Sequence, residues 1–138
     1  LEVVDIRNNP VADISPLGGM MFLKRVCLFD TRITDLSPLA QCPMLMELNA
    51  GKLPIRSLDA FDGLAGLQVL SMYDTTIETL AGMNKLTQLR FFEVSAVIDG
   101  DLSPMLALPN LKEVVLGEGM RQPAQALEGQ AKFDVSYR

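Results

Sequence analysis

One residue type returns at a fixed interval along the chain. Leucine occupies positions 1, 23, 45, 67, 89 and 111, so that each step is 22 residues long. A supersecondary unit repeated at a short fixed interval stacks into an elongated array of coils, because each unit buries its apolar side only against its neighbours. The sequence therefore predicts a solenoid, in which function belongs to an open surface.

The period divides the chain into a single repeat domain over residues 1–138. The units are 1–22, 23–44, 45–66, 67–88 and 89–110, followed by a divergent unit from 111 to 138. The divergent unit is expected to close the array. Leu1 begins a repeat with no cap before it, so we expect that repeats or a cap of the parent protein precede this segment.

Two apolar patterns recur inside each unit, and we number their positions as offsets from the repeat leucine. Offsets 3 and 5 are apolar in every unit, as in Val26 and Leu28, and the spacing of two places both side chains on one face of a strand. Offsets 13, 16 and 19 are also apolar, as in Leu36, Leu39 and Cys42, and a spacing of three fits a 3₁₀ turn. Each unit is therefore predicted to contain one short strand and one tight turn.

The clearest unit reads LKRVCLFDTRITDLSPL over residues 23–39, which follows the pattern L-x-x-L-x-L-x-x-(N/T)-x-I-x-D-L-x-P-L. This pattern resembles the 22-residue leucine-rich repeats of bacterial internalin-type proteins, over roughly residues 1–120. The resemblance implies an α/β fold: a right-handed, horseshoe-shaped solenoid with a parallel sheet on its concave side and short 3₁₀ or helical turns on its convex side. Repeats of this kind serve in protein recognition, and in some bacterial effectors they recruit substrates for a separate catalytic domain.

The chain departs from the family pattern at offset 8, which usually carries asparagine. Only Asn9 fits, and the equivalent residues are Thr31, Leu53, Thr75, Val97 and Gly119. Threonine can replace part of the asparagine hydrogen bonding, whereas the apolar residues cannot. Asp99 stands where isoleucine is expected, so an altered loop is predicted in the fifth unit.

Asp-x-Ser-Pro sequences mark three of the turns, beginning at Asp13, Asp35 and Asp101. We expect serine as the N-cap and proline as the first helical residue, and we interpret the aspartates as acceptors that stabilise the turns rather than as calcium ligands. In the last unit, a helix is predicted to begin at Pro123 and a further strand at 133–137. Lys132 and Arg138 would then discourage pairing at the exposed edge.

Composition excludes several functions. The net charge of −5 argues against nucleic acid as a partner, and the sequence contains no apolar run long enough to predict a membrane span. The chain has no histidine, and its two cysteines, Cys27 and Cys42, are expected to be too far apart to form a disulfide. No residues form a predicted catalytic, metal or cofactor site, so we expect a protein that is not an enzyme.

Offsets 2, 4 and 6 should point out of the sheet, where the repeat constrains no side chain. The candidate binding residues there are the apolar Phe29, Val69, Tyr73 and Phe91 and the charged Arg25, Glu47 and Glu93. Clustered exposed aromatic residues are typical anchors of a binding surface, although packing between neighbouring strands would explain them too. Charges at offsets 2, 4, 6 and 7 are mostly acidic, which favours a partner with a basic patch.

The sequence thus predicts a module that binds a protein partner on the concave sheet, with the four apolar residues as anchors and the three charged residues setting the register. Two alternatives remain open at this stage. The chain could be a spacer or the C-terminal cap of a longer solenoid, or the substrate-recruiting arm of a bacterial effector. A monomer is expected unless the N-terminal edge self-associates, and a cytoplasmic or a bacterial surface or secreted location fits equally.

Overall fold

The computed structural model describes all of residues 1–138 and contains a single parallel sheet. Its seven strands lie side by side in sequence order, so each new coil of the chain adds one strand at the same edge. The strands are β1 (Val3–Asp5), β2 (Arg25–Cys27), β3 (Glu47–Asn49), β4 (Val69–Ile77), β5 (Phe91–Val97), β6 (Glu113–Leu116) and β7 (Asp134–Tyr137). This is the layered coil that the repeat period predicts.

Short 3₁₀ helices return the chain from one strand to the next on the side opposite the sheet. They are Ser15–Leu17, Ser37–Gln41, Leu58–Phe61, Met83–Lys85, Ser103–Ala107, Glu118–Met120 and Gln125–Leu127. One short α-helix, α1 (Arg121–Ala124), lies between the last two of these. None of the helices has the length and apolar character that crossing a membrane requires.

The turns begin one residue earlier than the sequence predicts, and the side chain that stabilises each of them lies two residues before the serine. In the Asp-x-Ser-Pro turns, the N-cap is Ile14, Leu36 or Leu102, and the serine hydroxyl makes no cap hydrogen bond. Instead the preceding aspartate accepts from the serine backbone N–H, at 2.8 Å for Asp13 and 2.9 Å for Asp35. The interpretation of the aspartates as turn acceptors is confirmed, and serine as the N-cap is wrong there.

The remaining two repeats use hydroxyls at the same position as the aspartates. Ser57 Oγ accepts from the Asp59 N–H at 3.0 Å, and Thr79 Oγ1 accepts from the Ala81 N–H at 3.2 Å. The turn of each regular repeat thereby gains an acceptor for an otherwise unpaired N–H group. This position of the repeat needs only an oxygen atom that can accept a hydrogen bond. It is therefore aspartate in three repeats and serine or threonine in the other two.

Five of the six repeat leucines and the other apolar columns form one continuous core of 36 buried residues, whereas Leu1 at the start of the array is exposed. Strand residues at offsets 3 and 5, such as Leu70 and Met72, meet turn residues such as Leu80 and Met83, and all four are completely buried. Since each strand from β1 to β6 pairs with the next at an interval equal to the repeat period, like positions stack on like positions. The core is therefore extended along the array and is shared by all coils.

The residue at offset 7 is left-handed in each of the first four repeats, with φ between 55° and 59°: Asn8, Asp30, Lys52 and Asp74, the last of which lies within β4. The corner that this produces exposes backbone carbonyls, which the next side chain satisfies. Asn9 Nδ2 donates to the Ile6 carbonyl at 3.0 Å, and Thr31 Oγ1 donates to the Leu28 carbonyl at 2.9 Å. Threonine thus replaces asparagine, as expected.

Leu53 has no such donor, and the next repeat contributes a different hydrogen bond at this corner. Thr75 Oγ1 accepts from the backbone N–H of Lys52 at 2.8 Å and donates to the Tyr73 carbonyl at 3.2 Å. One buried hydroxyl therefore serves two adjacent coils. The corner that carries the apolar Leu53 is thus tied to the next repeat through the Lys52 N–H.

The fifth repeat has no left-handed corner, which confirms the altered loop. Met72 pairs with Val94, whereas Thr76 pairs with Ala96, so β4 is longer than β5 between these two pairs. Val97 consequently pairs with Ile77 and fills the buried isoleucine position. Ile98 and Asp99 become an exposed loop that ends at Gly100, whose φ is 68°.

The last unit is slightly shorter than the others. The predicted final strand is present as β7 and pairs with β6, and Asp134 lies opposite Glu113 where an unbroken period would place Val135. The helix begins at Arg121, before the predicted Pro123, because the preceding 3₁₀ turn runs directly into it. Three apolar residues from this segment, Met120, Ala124 and Leu127, complete the core.

Candidate protein-binding face

The face of the sheet opposite the core consists of the side chains at offsets 2, 4 and 6, and we call it the concave face. Burial alternates as this assignment requires in β4, where Leu70 and Met72 are buried and Val69, Ser71 and Tyr73 are half-buried. All seven candidate residues come from β2 to β5 or the residues directly after them. They therefore lie on four consecutive strands, within about 15 Å at about 4.8 Å per strand.

Four candidates form a row across neighbouring strands at offset 2. Arg25 pairs in register with Glu47, Glu47 with Val69, and Val69 with Phe91. Arg25 Nε lies 3.2 Å from Glu47 Oε2, and both side chains remain well exposed. The row thus begins with a solvated ion pair and ends with an apolar pair.

A second row, at offset 6, contains the aromatic candidates Phe29 and Tyr73. Their rings stack with centroids 6.2 Å apart and planes inclined by 18°, although a whole strand separates them. The residue between them is Gly51, where an added Cβ would lie 2.9 Å from the Phe29 ring and 2.5 Å from the Tyr73 carbonyl oxygen. The absence of a side chain at Gly51 is what permits the stack.

Glu93 does not lie open on this face, contrary to the expectation from its offset. Its side chain is only 5% exposed. Ser71 Oγ donates to Glu93 Oε1 at 3.0 Å, and Arg138 lies over the carboxylate with Nη1 3.3 Å from Oε2. A residue from β5 is therefore covered by one that follows β7, and Glu93 is not free to set the register of a partner while Arg138 is there.

Arg138 also contacts the aromatic row. Its guanidinium carbon lies 4.0 Å from the centre of the Tyr73 ring, on the side of the sheet towards β7. The two coils between Tyr73 and Arg138 in the strand order carry small residues at offset 6, Ser95 and Gly117. The row Phe29–Tyr73–Arg138 is thus continuous across six strands.

The concave face keeps an acidic excess after its ion pairs are formed. Arg7 pairs with Asp5 at 2.7 Å, Lys52 approaches Asp30 at 3.8 Å, and Arg121 pairs with Glu118. The Arg7 backbone N–H, which donates to the carboxylate, lowers the pKa of Asp5, and Arg7's side chain adds to the effect.

Three other carboxylates make no ion pair. Glu113 and Asp134 are partners in register on β6 and β7, and Asp74 follows Tyr73 at the corner. None of these carboxylates lies within 4.0 Å of a basic nitrogen. Of these carboxylates, Glu113 lies directly opposite Phe91 on the neighbouring strand, so unpaired negative charge adjoins the apolar pair of Val69 and Phe91.

Cys27 lies half-buried in a shallow depression between β1 and β4, whose lining includes Asp5 and Asn49. Cys42 is buried in the core with its thiol 3.1 Å from the Leu17 carbonyl oxygen. Both cysteines are free, as the sequence predicts. No group of three or more histidine, cysteine, aspartate or glutamate side chains is arranged to hold a metal ion.

Sequence reasoning missed Arg138 as a residue of this face and assigned it only to edge protection. The missing signal was the shortened step at β7: extending the offset-6 column from Gly117 by the step that joins Glu113 to Asp134 reaches Arg138. It also missed Gly51, although glycine between two aromatic residues of one column indicates close packing across it.

Similar folds are known among solved structures. An internalin (inlF) of Listeria monocytogenes is 27% identical with a TM-score of 0.75, over 96% of this chain and 39% of that one. Internalin C2 of the same species is 24% identical with a TM-score of 0.71, over 97% and 60%. The chain therefore shares the leucine-rich repeat fold of these internalins.

The leucine-rich repeat solenoid places the seven-stranded sheet on its concave side and the 3₁₀ turns on its convex side, as the sequence pattern implies. The chain spans less than two thirds of either internalin structure. No family model matches the sequence, and neither does any curated protein. The relationship is therefore seen in the fold and in the period of the repeat.

Proposed function

We propose that this chain is a non-enzymatic recognition module that binds a protein partner on its concave face. The observation that carries the proposal is the apolar set of Phe29, Val69, Tyr73 and Phe91. All four are half-buried at positions that the repeat leaves free, so the core does not require their size or aromatic character. Concave surfaces of stacked repeats are the usual binding surfaces of solenoids.

The partner is expected to present a basic patch. Asp74, Glu113 and Asp134 are unpaired beside the apolar set, whereas Arg25 and Glu47 neutralise each other. Complementary charge increases the rate of association and excludes acidic competitors. Apolar anchors and unpaired carboxylates together favour a basic protein surface with an apolar centre.

The test compares proteins retained from a lysate of the native host by three forms of the chain. In the first variant, Phe29, Tyr73 and Phe91 are replaced by alanine. The control variant has Met21, Phe22 and Met44 replaced by alanine, which removes exposed apolar side chains away from the concave face. Circular dichroism and thermal unfolding establish that all three forms are folded.

We expect a protein that the wild-type chain and the control retain and the concave-face variant loses. Retention of the same proteins by all three forms would contradict the proposal and favour a spacer. Loss from the control alone would place the binding surface at the exposed apolar side chains near the start of the array. Salt should weaken a genuine interaction, because exposed charges are screened.

A further inference from the structure

The buried carboxylate of Glu93 is the least expected group on the concave face. An ionised carboxylate removed from water must be compensated by hydrogen bonds or by an opposite charge. The Ser71 hydroxyl supplies one hydrogen bond at 3.0 Å, and the only cation paired with the carboxylate is the Arg138 guanidinium. The site is therefore arranged around a positive group.

Arg138 fills this site loosely. A single nitrogen, Nη1, faces both carboxylate oxygens, at 3.4 Å from Oε1 and 3.3 Å from Oε2. An optimal arginine–carboxylate pair uses two nitrogens at about 2.7 to about 2.9 Å. The Arg138 side chain is 57% exposed, whereas the carboxylate beneath it is almost completely buried. The Glu93 carboxylate is therefore held inside the protein, whereas the Arg138 guanidinium that pairs with it lies at the surface.

The walls of the site suit a guanidinium group in particular. Tyr73 offers its ring face 4.0 Å from the guanidinium carbon, and Phe29 stacks on Tyr73 and restricts the orientation of the ring. A planar guanidinium combines stacking on an aromatic face with hydrogen bonding to a carboxylate, which the compact ammonium of lysine does not. Ser95 and Gly117, the offset-6 residues between Tyr73 and Arg138 in the strand order, carry no large side chain.

We propose that Glu93, Ser71 and Tyr73 form an arginine-binding site on the concave face, in which Arg138 is an intramolecular placeholder that an arginine of the protein partner displaces. This inference rests on the proposed function and specifies one chemical feature of the partner. It gives Glu93 a role in recognition, since the carboxylate becomes available when Arg138 moves away. The site lies next to Phe91, so an arginine flanked by apolar residues would engage both.

The experiment removes the Arg138 side chain and adds a small molecule that carries the same guanidinium group. In Arg138→Ala, Glu93 loses the only cation paired with it, so the melting temperature should fall. Addition of N-acetyl-argininamide should restore part of that loss in a saturable way. N-acetyl-lysinamide at the same concentration and ionic strength should restore much less, and the double variant Glu93→Gln with Arg138→Ala should not respond.

A matched control exists at the other tyrosine. Arg121 also lies over a tyrosine ring, 4.2 Å from the centre of Tyr137, and also pairs with a carboxylate. That carboxylate, Glu118, is 63% exposed, so no buried charge is left behind in Arg121→Ala. This variant should show no rescue by N-acetyl-argininamide.

A second measurement is independent of stability. The chain has two tyrosines and no tryptophan, so ring-labelled tyrosine in a Tyr137→Phe background reports on Tyr73 alone by NMR. The probe should shift the Tyr73 ring signals of Arg138→Ala at concentrations about tenfold below those needed in the presence of Arg138, if the placeholder occupies the site about nine-tenths of the time. Absence of a saturable shift in Arg138→Ala would overturn the arginine site.

The outcomes separate the inference from the proposed function. A partner lost by the concave-face variant, combined with no response to the probe, contradicts the arginine site alone. A saturable probe response with no partner retained supports the site and contradicts the proposed function. If the partner binds the concave face and the probe also binds at Glu93, Arg138→Ala should retain more of the partner than the wild-type chain does.

Discussion

Phe91 and Phe92 are consecutive residues of β5 that lie on opposite faces of the sheet. Phe92 is completely buried in the continuous core, whereas Phe91 is half-buried on the concave face beside Val69. The core face is uniform along the array because each coil must match the coil above and below it. The concave face has no such constraint, and it carries an ion pair, an apolar pair, an aromatic stack and a buried carboxylate on one sheet.

The largest expected effect separates the two phenylalanines. Phe92→Ala should reduce the free energy of unfolding by about 3–5 kcal/mol, because it removes a fully packed ring and leaves a cavity in the shared core. Phe91→Ala should cost about 1 kcal/mol or less, since its ring is already partly hydrated. Urea unfolding of both variants measures the difference. Equal losses would show that Phe91 is a core residue rather than a binding residue.

The next effect tests the close approach of strands under the aromatic stack. Gly51→Ala would place a Cβ 2.5 Å from the Tyr73 carbonyl oxygen and 2.9 Å from Phe29, so β3 or β4 must shift. We expect a loss of about 1–3 kcal/mol, together with a change in the near-ultraviolet spectrum of Tyr73. Gly119→Ala is the control, because no atom lies within 4 Å of its added Cβ. A neutral Gly51→Ala would contradict the tight packing of this face.

The convex turns provide a prediction about acid. Hydrogen bonds from Ser15, from its backbone N–H first and then its hydroxyl, lower the pKa of Asp13 below the usual 3.8. Ser37 and Ser103, through the hydroxyl first and the N–H second, lower the pKa of Asp35 and Asp101. A lowered folded-state pKa contributes stability that is fully present above the unfolded value and is lost as pH falls through the folded value.

The melting temperature should therefore fall as pH decreases below about 4. Replacing all three aspartates by asparagine keeps an oxygen acceptor in each turn but removes the titration. This variant should show a flatter dependence of melting temperature on pH between about 4 and about 2 than the wild-type chain. Parallel curves for the two proteins would show that the three carboxylates do not contribute to acid sensitivity.

The smallest expected effect concerns the charged end of the concave face. Arg25→Ala breaks an exposed ion pair with Glu47 and should change the free energy of unfolding by less than about 1 kcal/mol. The substitution also leaves Glu47 unpaired, so association with a basic partner should become faster at low salt. Thermal unfolding and association kinetics at two salt concentrations test both statements. A large loss of stability would assign the pair to the fold instead.

Much of the fold could be predicted because the same pattern of apolar residues occurs in every repeat. Leucine at offset 0 and apolar residues at offsets 3 and 5 specify the strand, its inward face and the constant shift between neighbouring strands. The acceptors before each turn were visible in the Asp-x-Ser-Pro sequences. The position of the cap was misjudged because Asp13 and Ser15 are both suitable acceptors in sequence.

The binding face was predicted less completely, for a related reason. Offset alone placed Glu93 outward, and the backbone does point its side chain away from the core. Its burial depends on Arg138, which is distant in the sequence and arrives through a coil slightly shorter than the others. A periodic pattern contains no information about which long side chain folds over which neighbour.

The sequence by itself determined the repeating architecture, the buried columns and the set of positions left free on the concave face, because periodic burial constrains every coil in the same way. Only the tertiary structure decided what occupies those free positions. The stack of Phe29 on Tyr73 over Gly51, and the closure of Glu93 by Arg138, arise from contacts between separate strands. Such contacts depend on side-chain reach and on the exact shift between coils, which no single repeat specifies.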